Sequence, residues 1–212
     1  MHTLTARTLA NVVTDLNYCE NFNSYSDNSF PPNWSRLNMY DNTPKVTSIY
    51  SYSIQFRPYY SNTKPIAIMP AINSNDFNNL ILSLDYRVDY TQTIIEVGIM
   101  EFPGNAANFV PIDTLRATSS STSYINATVF LNSYSGNGRY IAFRVSDPTN
   151  YSAYAYIDNI KVSKCHISGG AVTNIRPTSL SLVWDSVNSY IPSDSIRITY
   201  GPETNFADST SV

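Results

Sequence analysis

The chain has 212 residues, of which 42% are hydrophobic and only 14% are charged, and its formal net charge is −3. This length fits one large domain or two small ones, and an aromatic content of 13% argues against a disordered chain. The 16 acidic and 13 basic side chains argue against nucleic-acid binding, and no apolar run approaches the ~18 residues of a membrane span. Serine, threonine, asparagine and tyrosine are abundant, as is common in β-rich proteins that bacteria secrete.

Apolar and polar residues alternate along four segments, which predicts four strands with one face in a core. The residues expected on those faces are Leu80, Leu82, Leu84, Tyr86 and Val88; Ile125, Ala127, Val129 and Leu131; Ile141, Phe143 and Val145; and Tyr154, Tyr156, Ile160 and Val162. Thr93–Met100 is almost continuously apolar, so we expect a strand covered on both faces. Turn-forming residues separate these segments, and no segment predicts a helix of three or more turns. The predicted fold class is therefore all-β, a jelly-roll β-sandwich.

A second unit is predicted after the composition change at residues 167–170. Leu180, Leu182 and Trp184 alternate there, and the same pattern returns at 196–200. These two segments predict two strands of a separate β unit.

Two acidic residues have the strand parity of the apolar residues around them. On this pattern Asp158 and Glu20 point inward, where a carboxylate costs several kcal/mol unless it is paired or binds a metal. Calcium prefers carboxylate and amide oxygens, so Glu20, Asn23, Asp158 and Asn159 are candidate ligands of one Ca²⁺ ion. The alternatives are an ion pair with an arginine or hydrogen bonds from turn amides.

The two cysteines, Cys19 and Cys165, bracket nearly all of the strand-rich region. If the first and last strands lie side by side, a disulfide fits, and it would stabilise the fold by about 4–5 kcal/mol in the chain-entropy model. The alternative is two unpaired thiols.

The sequence carries no catalytic motif. His166 directly follows Cys165, and adjacent residues of a strand point apart, so the pair is not a catalytic dyad. Four acids could in principle serve a glycosidase, although we expect them to be solvated acids on outer strand faces: Asp85, Asp89, Glu96 and Glu101. We therefore expect a protein that is not an enzyme.

Several tyrosines lie in or beside predicted loops, where a flat ring can stack on a sugar. The candidates are Tyr59, Tyr60, Tyr134, Tyr151 and Tyr154. Tyrosine also suits a half-buried strand face, which is the alternative role for each of them.

Two segments near the start, Cys19–Asn23 and Pro31–Ser35, resemble the opening of MAM-like jelly-roll domains and of the related cleaved-adhesin domains of the gingipain type. Further segments that resemble the family follow in its order and end at Cys165, so the resemblance covers about residues 17–166. It implies a two-sheet jelly roll with Glu20 and Asp158 at calcium-site positions. Asn23 and Asn159 stand where the family often has acids, which weakens such a site.

The flanks of this domain resemble incomplete fibronectin type III repeats. Residues 167–212 are similar to the first strands of such a domain, and residues 1–16 form a leader that resembles the last strand of a preceding one. A complete domain needs about 100 residues, so we expect a slice of a longer tandem array. That expectation accounts for the lack, in residues 1–10, of the apolar stretch that a signal peptide needs.

The resemblance implies a non-catalytic adhesive or ligand-binding module of a secreted or surface-attached bacterial protein. Its expected partners are a glycan or a host or cell-surface protein, together with neighbouring domains of the same chain. Nucleic acid and membrane insertion are not expected. The alternative is an accessory structural domain of a larger secreted protease or glycosidase, with no ligand of its own.

Overall fold

The computed structural model describes residues 18–58, 63–73, 77, 80–118, 123–146, 153–164, 171–176, 179–183, 199–200 and 210–211. The chain divides into two units, Met1–His166 and Ile167–Val212. None of the helices among the described residues is long and apolar enough to cross a membrane.

The first unit is built from eleven strands among its described residues. They are β1 (Tyr18–Glu20), β2 (Ser35–Leu37), β3 (Lys45–Thr47), β4 (Ser53–Phe56), β5 (Ile66–Ile68), β6 (Leu80–Val88), β7 (Ile94–Met100), β8 (Val110–Leu115), β9 (Ile125–Phe130), β10 (Tyr140–Ser146) and β11 (Ala155–Lys164). A single turn of 3-10 helix, Ala106–Asn108, precedes β8.

These strands form two antiparallel sheets. The six-stranded sheet has the order β3-β4-β11-β6-β9, and β1 pairs with the second half of β11 on the side where β4 pairs with the first half. The five-stranded sheet has the order β2-β5-β10-β7-β8. The predicted all-β, two-sheet architecture is confirmed.

One hydrophobic core lies between the sheets and contains buried residues from both. Two residues of the segments that resemble the family, Phe22 and Trp34, are buried in it. Their rings meet edge to face at 5.5 Å, and Trp34 stacks on Phe143 at 6.3 Å. These aromatic residues therefore anchor the chain before β3 to the core.

The predicted alternation holds along β6, β9 and β10. The expected residues of β6 and β10 belong to the core cluster, from Leu80 to Val88 and from Ile141 to Val145, whereas Ile125 and Ala127 of β9 are partly buried and pack against it. The long, regular ladder between β6 and β9 leaves every second side chain inside, as a pleated strand requires.

The alternation predicted for β11 is wrong, because the strand contains a β-bulge. Asp158 pairs with Asp85, whereas Lys161 pairs with Ser83, so β11 carries one extra residue between these pairs. Asn159 adopts a left-handed conformation with φ 49°, which asparagine tolerates better than most residues. As a result Ile157, and not Tyr156, lies in the core together with Ile160 and Val162.

The described part of the second unit contains two short antiparallel pairs. One joins β12 (Ala171–Arg176) to β13 (Ser179–Val183), and the other joins β14 (Thr199–Tyr200) to β15 (Thr210–Ser211). Leu180 and Leu182 lie in β13 as expected, whereas Trp184 lies outside the described residues. The fibronectin type III resemblance stays a prediction.

Candidate functional site

Polar and aromatic side chains line the face of the six-stranded sheet that points away from the core, which we call the outer face. Tyr156 of β11 pairs with Gln55 of β4 on one side and with Arg87 of β6 on the other, so the three lie in one row. Asp158 and Asp85 form the next row. Strand alternation explains this placement, since the neighbours of these residues on each strand are core residues.

Tyr50 lies over this row and remains 40% exposed. Below it lies Arg87, which is only 4% exposed. The Arg87 Cζ atom is 3.4 Å from the centre of the Tyr50 ring, and this ring meets the Tyr156 ring edge on at 5.2 Å. The guanidinium also pairs with the carboxylate of Asp89 at 3.1 Å. The ring of Tyr50 is thus fixed from below by a cation–π contact while part of it faces solvent.

Tyr154 extends the aromatic surface along β11. Its ring stacks on Tyr156 at 6.4 Å, and the Arg57 guanidinium lies 5.4 Å from the Tyr154 ring and 5.6 Å from the Tyr40 ring. Arg57 in turn pairs with Asp41. Two arginines therefore hold a line of tyrosines at the beginning of β11.

At the other end of the face, two exposed asparagines flank one carboxylate. Asn126 donates from Nδ2 to Asp85 Oδ1 at 2.9 Å, and Asn159 donates from Nδ2 to Asp85 Oδ2 at 2.8 Å. Each carboxamide is oriented by this bond and retains a carbonyl oxygen as an acceptor group. The bulge creates this arrangement, because it turns Asn159 across β11 towards Asp85.

The predicted inward orientation of Asp158 is wrong, although the residue is buried, with only 4% of its surface exposed. The bulge places it on the outer face opposite Asp85. The pKa of Asp158 is raised to about 6, mainly by burial and further by the charges of Asp85 and Glu20. Two hydrogen bonds act in the opposite direction and lower this pKa. One comes from the Asn159 N–H, which donates to Oδ1 at 2.7 Å, and the other involves the Ser51 side chain. A buried carboxylate near two other acids costs free energy when it is ionised.

Glu20 is engaged by neighbouring groups of its own segment. Its Oε1 accepts from the Phe22 N–H at 2.9 Å, and its Oε2 accepts from the Tyr25 hydroxyl at 3.0 Å. Burial and the Glu20 carboxylate raise the pKa of Tyr25 to about 12. The exposed Asn23 donates its N–H to Asn21 Oδ1 at 3.3 Å.

The side chains of these four candidate calcium ligands do not all share one face of the sheet. Glu20 has the parity of the inner face, because it pairs with Ile160, whereas Asp158 and the bulged Asn159 belong to the outer face. No three acidic, histidine or cysteine side chains within the described ranges form a group that could hold a metal ion. The carboxylates of Glu20 and Asp158 both accept hydrogen bonds from nearby backbone amides, which was one of the two alternatives to metal binding. Calcium binding stays a prediction.

The predicted disulfide has one partner in the described part of the chain. Cys19 is exposed with a free thiol and pairs with Lys161 across the β1–β11 ladder, whereas Cys165 lies outside the described residues. The disulfide between the two cysteines therefore stays a prediction.

Thiol titration distinguishes these cases. Because the structure leaves the Cys19 thiol free, we expect two titratable thiols in the denatured, unreduced protein. The measurement is the reaction with a chromogenic disulfide reagent, with the reduced protein as the reference. A titre of zero would establish the disulfide.

The predicted tyrosines fall into three groups. Tyr154 lies on the outer face, whereas Tyr59, Tyr60 and Tyr151 lie outside the described residues. Tyr134 lies elsewhere, near β8, with its ring against the core residue Phe77.

The four acids considered for hydrolysis lie in different local surroundings. Asp85 binds two asparagines, and burial raises the pKa of Asp89 despite its arginine partner. Glu96 accepts two bonds from Arg144, at 2.8 and 3.0 Å, and this interaction lowers its pKa. Glu101 lies exposed near β8.

Sequence reasoning did not find Tyr50, Arg87 or Asn126 as site residues. The polar face of β6 and β9 was visible in the alternation, so Arg87 and Asn126 could have been placed on the outer face. The position of Tyr50 above Arg87 depends on a loop that returns over the sheet, and no local pattern indicates it.

The fold and this site define a β-sandwich with a preorganised aromatic and amide surface on one sheet. Its fold is that of the cleaved adhesin domains. The K2 cleaved adhesin domain of Lys-gingipain matches with a TM-score of 0.55 at 14% identity, over 69% of this chain and 99% of that domain. The K3 domain of Lys-gingipain from Porphyromonas gingivalis W83 matches with a TM-score of 0.51 at 13% identity, over 69% and 97%.

The resemblance seen in the sequence is thus confirmed at the level of the fold. No protein-family model matches the sequence, and a comparison with curated proteins gives no significant match.

Proposed function

We propose that this chain is a non-catalytic, adhesive glycan-binding module that acts outside the cell or at its surface, with the outer face as its binding surface. The observation that carries the proposal is the exposed ring of Tyr50, fixed by Arg87 on the same sheet face as the oriented amides of Asn126 and Asn159. The cleaved adhesin domains of the same fold support an adhesive role.

The chemistry of this face suits a saccharide. An aromatic ring offers a flat apolar surface for the C–H side of a pyranose, and carboxamides and carboxylates bind its hydroxyl groups. Since salt bridges and hydrogen bonds already hold these groups in place, little side-chain entropy is lost on binding.

The test is a glycan-array screen followed by affinity measurement on the best glycan, comparing the wild-type chain with Tyr50→Ala. We expect the substitution to weaken binding by about tenfold or more, in the range seen for loss of an aromatic stacking platform. Phe102→Ala is the matched control, because Phe102 is also an exposed aromatic side chain, at 58%, but lies outside the outer face.

Two outcomes would contradict the proposal. Equal effects of Tyr50→Ala and Phe102→Ala would remove the outer face as the binding surface. A screen without any glycan binding would favour the alternatives, which are a protein partner on a host or neighbouring cell and an accessory structural domain.

A further inference from the structure

A separate groove runs along β8, the edge strand of the five-stranded sheet, and is bounded on its other side by residues 133–137. Its volume of about 670 Å³ is within the ~300–1,000 Å³ typical of small-molecule sites. The groove shares none of its lining residues with the outer face, so it is a distinct concavity on the other sheet.

The walls of this groove are held in place by contacts within the protein. The Tyr134 hydroxyl accepts from the Gly138 N–H at 2.6 Å, and its ring meets Phe77 edge on at 5.8 Å. A Cβ atom at Gly136 would collide with the Tyr134 hydroxyl, so the glycine permits this compact loop. On the opposite wall, Asn105 Oδ1 accepts from the Ala107 N–H at 3.0 Å and fixes the 3-10 turn. The groove is thus preformed.

The lining combines polar and apolar groups, and its described residues include one charged side chain. Hydroxyl and amide groups come from Ser133, Ser135, Asn108 and Asn137, and Glu101 supplies the one carboxylate among the lining residues. Because no basic side chain is among the described residues that line the groove, an anionic ligand would meet the Glu101 carboxylate there without a cationic partner. An uncharged ligand rich in hydroxyl groups fits this set of donors and acceptors.

The floor argues for a saccharide and against an extended peptide. Val110 is 46% exposed and lies beside Pro111 on β8, and both line the groove. A peptide that added a strand to β8 would lack one backbone donor at Pro111, and proline on an edge strand hinders such pairing. The exposed side chain of Val110 instead offers an apolar contact for the C–H groups of a sugar ring.

We propose that this groove is a second saccharide-binding site, specific for uncharged oligosaccharides and independent of the outer face. Asn108 and Asn137 bind ligand hydroxyls from opposite walls, and Glu101 accepts from further hydroxyls. With two sites on different sheets, one copy of the chain could join two glycan strands.

The experiment is an NMR titration of the full chain with uncharged trisaccharides of glucose, galactose, mannose and N-acetylglucosamine, and with sialyllactose as the anionic probe. We expect at least one uncharged trisaccharide to shift the amide signals of residues 133–137, and sialyllactose to leave them unchanged. Asn137→Ala and Glu101→Gln are expected to weaken this binding by about tenfold. Asn132→Ala is the matched control, since Asn132 is exposed in the same loop but does not line the groove.

Tyr50→Ala separates the two sites, because it should weaken binding at the outer face and leave the groove signals unchanged. Preserved thermal unfolding of each variant shows that the fold is intact. The proposal is overturned if no uncharged trisaccharide shifts these signals, if sialyllactose shifts them equally, or if Asn137→Ala and Asn132→Ala bind alike. It is also overturned if an extended peptide, and no sugar, binds along β8.

Discussion

Replacing Asp158 with asparagine is expected to make the calcium-free protein more stable at pH 8 and to change its stability little below pH 4. Burial raises the pKa of Asp158 to about 6, whereas an aspartate in an unfolded chain titrates near 3.9. A carboxyl group with a raised pKa contributes stability that is present below the unfolded pKa and is lost as the pH rises through the folded pKa. The asparagine variant has no carboxyl group at this position, so it does not lose stability in this way as the pH rises.

The gain at pH 8 has an upper limit set by the shift. About two pKa units correspond to ~3 kcal/mol, at about 1.4 kcal/mol per unit. The asparagine Oδ1 can still accept from the Asn159 N–H, so the local hydrogen bond is retained. The measurement is chemical unfolding of both proteins in EDTA at several pH values between 4 and 8.

Asp113→Asn is the matched control for this substitution. Asp113 makes the same kind of local bond, from the Thr114 N–H at 2.7 Å, but its side chain is exposed on β8. We expect Asp113→Asn to shift stability little at any pH. If Asp158→Asn instead destabilises the protein at pH 8, the ionised carboxylate of the wild type is better solvated or paired than its burial indicates.

Measurements on the same variant in the presence of calcium test the predicted metal site. If Asp158 and Glu20 bind the ion, millimolar calcium raises the melting temperature of the wild type, and Asp158→Asn or Glu20→Gln removes this increase. If calcium shifts the wild type and both variants equally, these two residues are not ligands.

The strands β6, β9 and β10 could be predicted from the sequence because their pairing with neighbouring strands is regular. Along β6 the period-two pattern places every second residue from Leu80 to Val88 inside, and no irregularity interrupts its pairing with β9. Periodicity of this kind reports burial directly, since a pleated strand alternates its faces.

The first half of β11 could not be predicted in the same way. A single extra residue between Asp158 and Lys161 reverses the faces, and the only local signal is an asparagine that tolerates a positive φ. A strict period of two continued across the bulge places Tyr156 in the core instead of Ile157, and it points Asp158 into the core. The inference that the carboxylate is buried was correct, but the face was not.

The candidate site depends on contacts between residues distant in sequence. Tyr50 lies above Arg87, and Asn126 meets Asp85 across neighbouring strands. Such contacts follow from sheet order and from the path of a loop, and a single sequence does not determine either of them. Of the predicted tyrosines that the structure describes, Tyr154 lies on the outer face and Tyr134 does not.

Gly98→Ala is expected to destabilise the protein by about 1–3 kcal/mol, the usual cost of overpacking a core. A Cβ atom at Gly98 would come within 2.5 Å of the Phe109 ring and 2.6 Å of the Val110 carbonyl oxygen. The ring can move, but the carbonyl belongs to β8, which pairs with β7 at this point. Gly104→Ala is the matched control, because a Cβ atom there meets nothing within 4 Å.

The same clash connects this position to the groove. Since Val110 forms part of its floor, displacement of β8 should weaken trisaccharide binding in the groove and leave Tyr50-dependent binding unchanged. Combining Gly98→Ala with Phe109→Ala removes the contact with the ring and leaves the contact with the carbonyl, so the double-mutant cycle separates the two. If the two substitutions were simply additive, Phe109 would not be the obstacle. Equal unfolding free energies for Gly98→Ala and Gly104→Ala would show that β8 yields without cost.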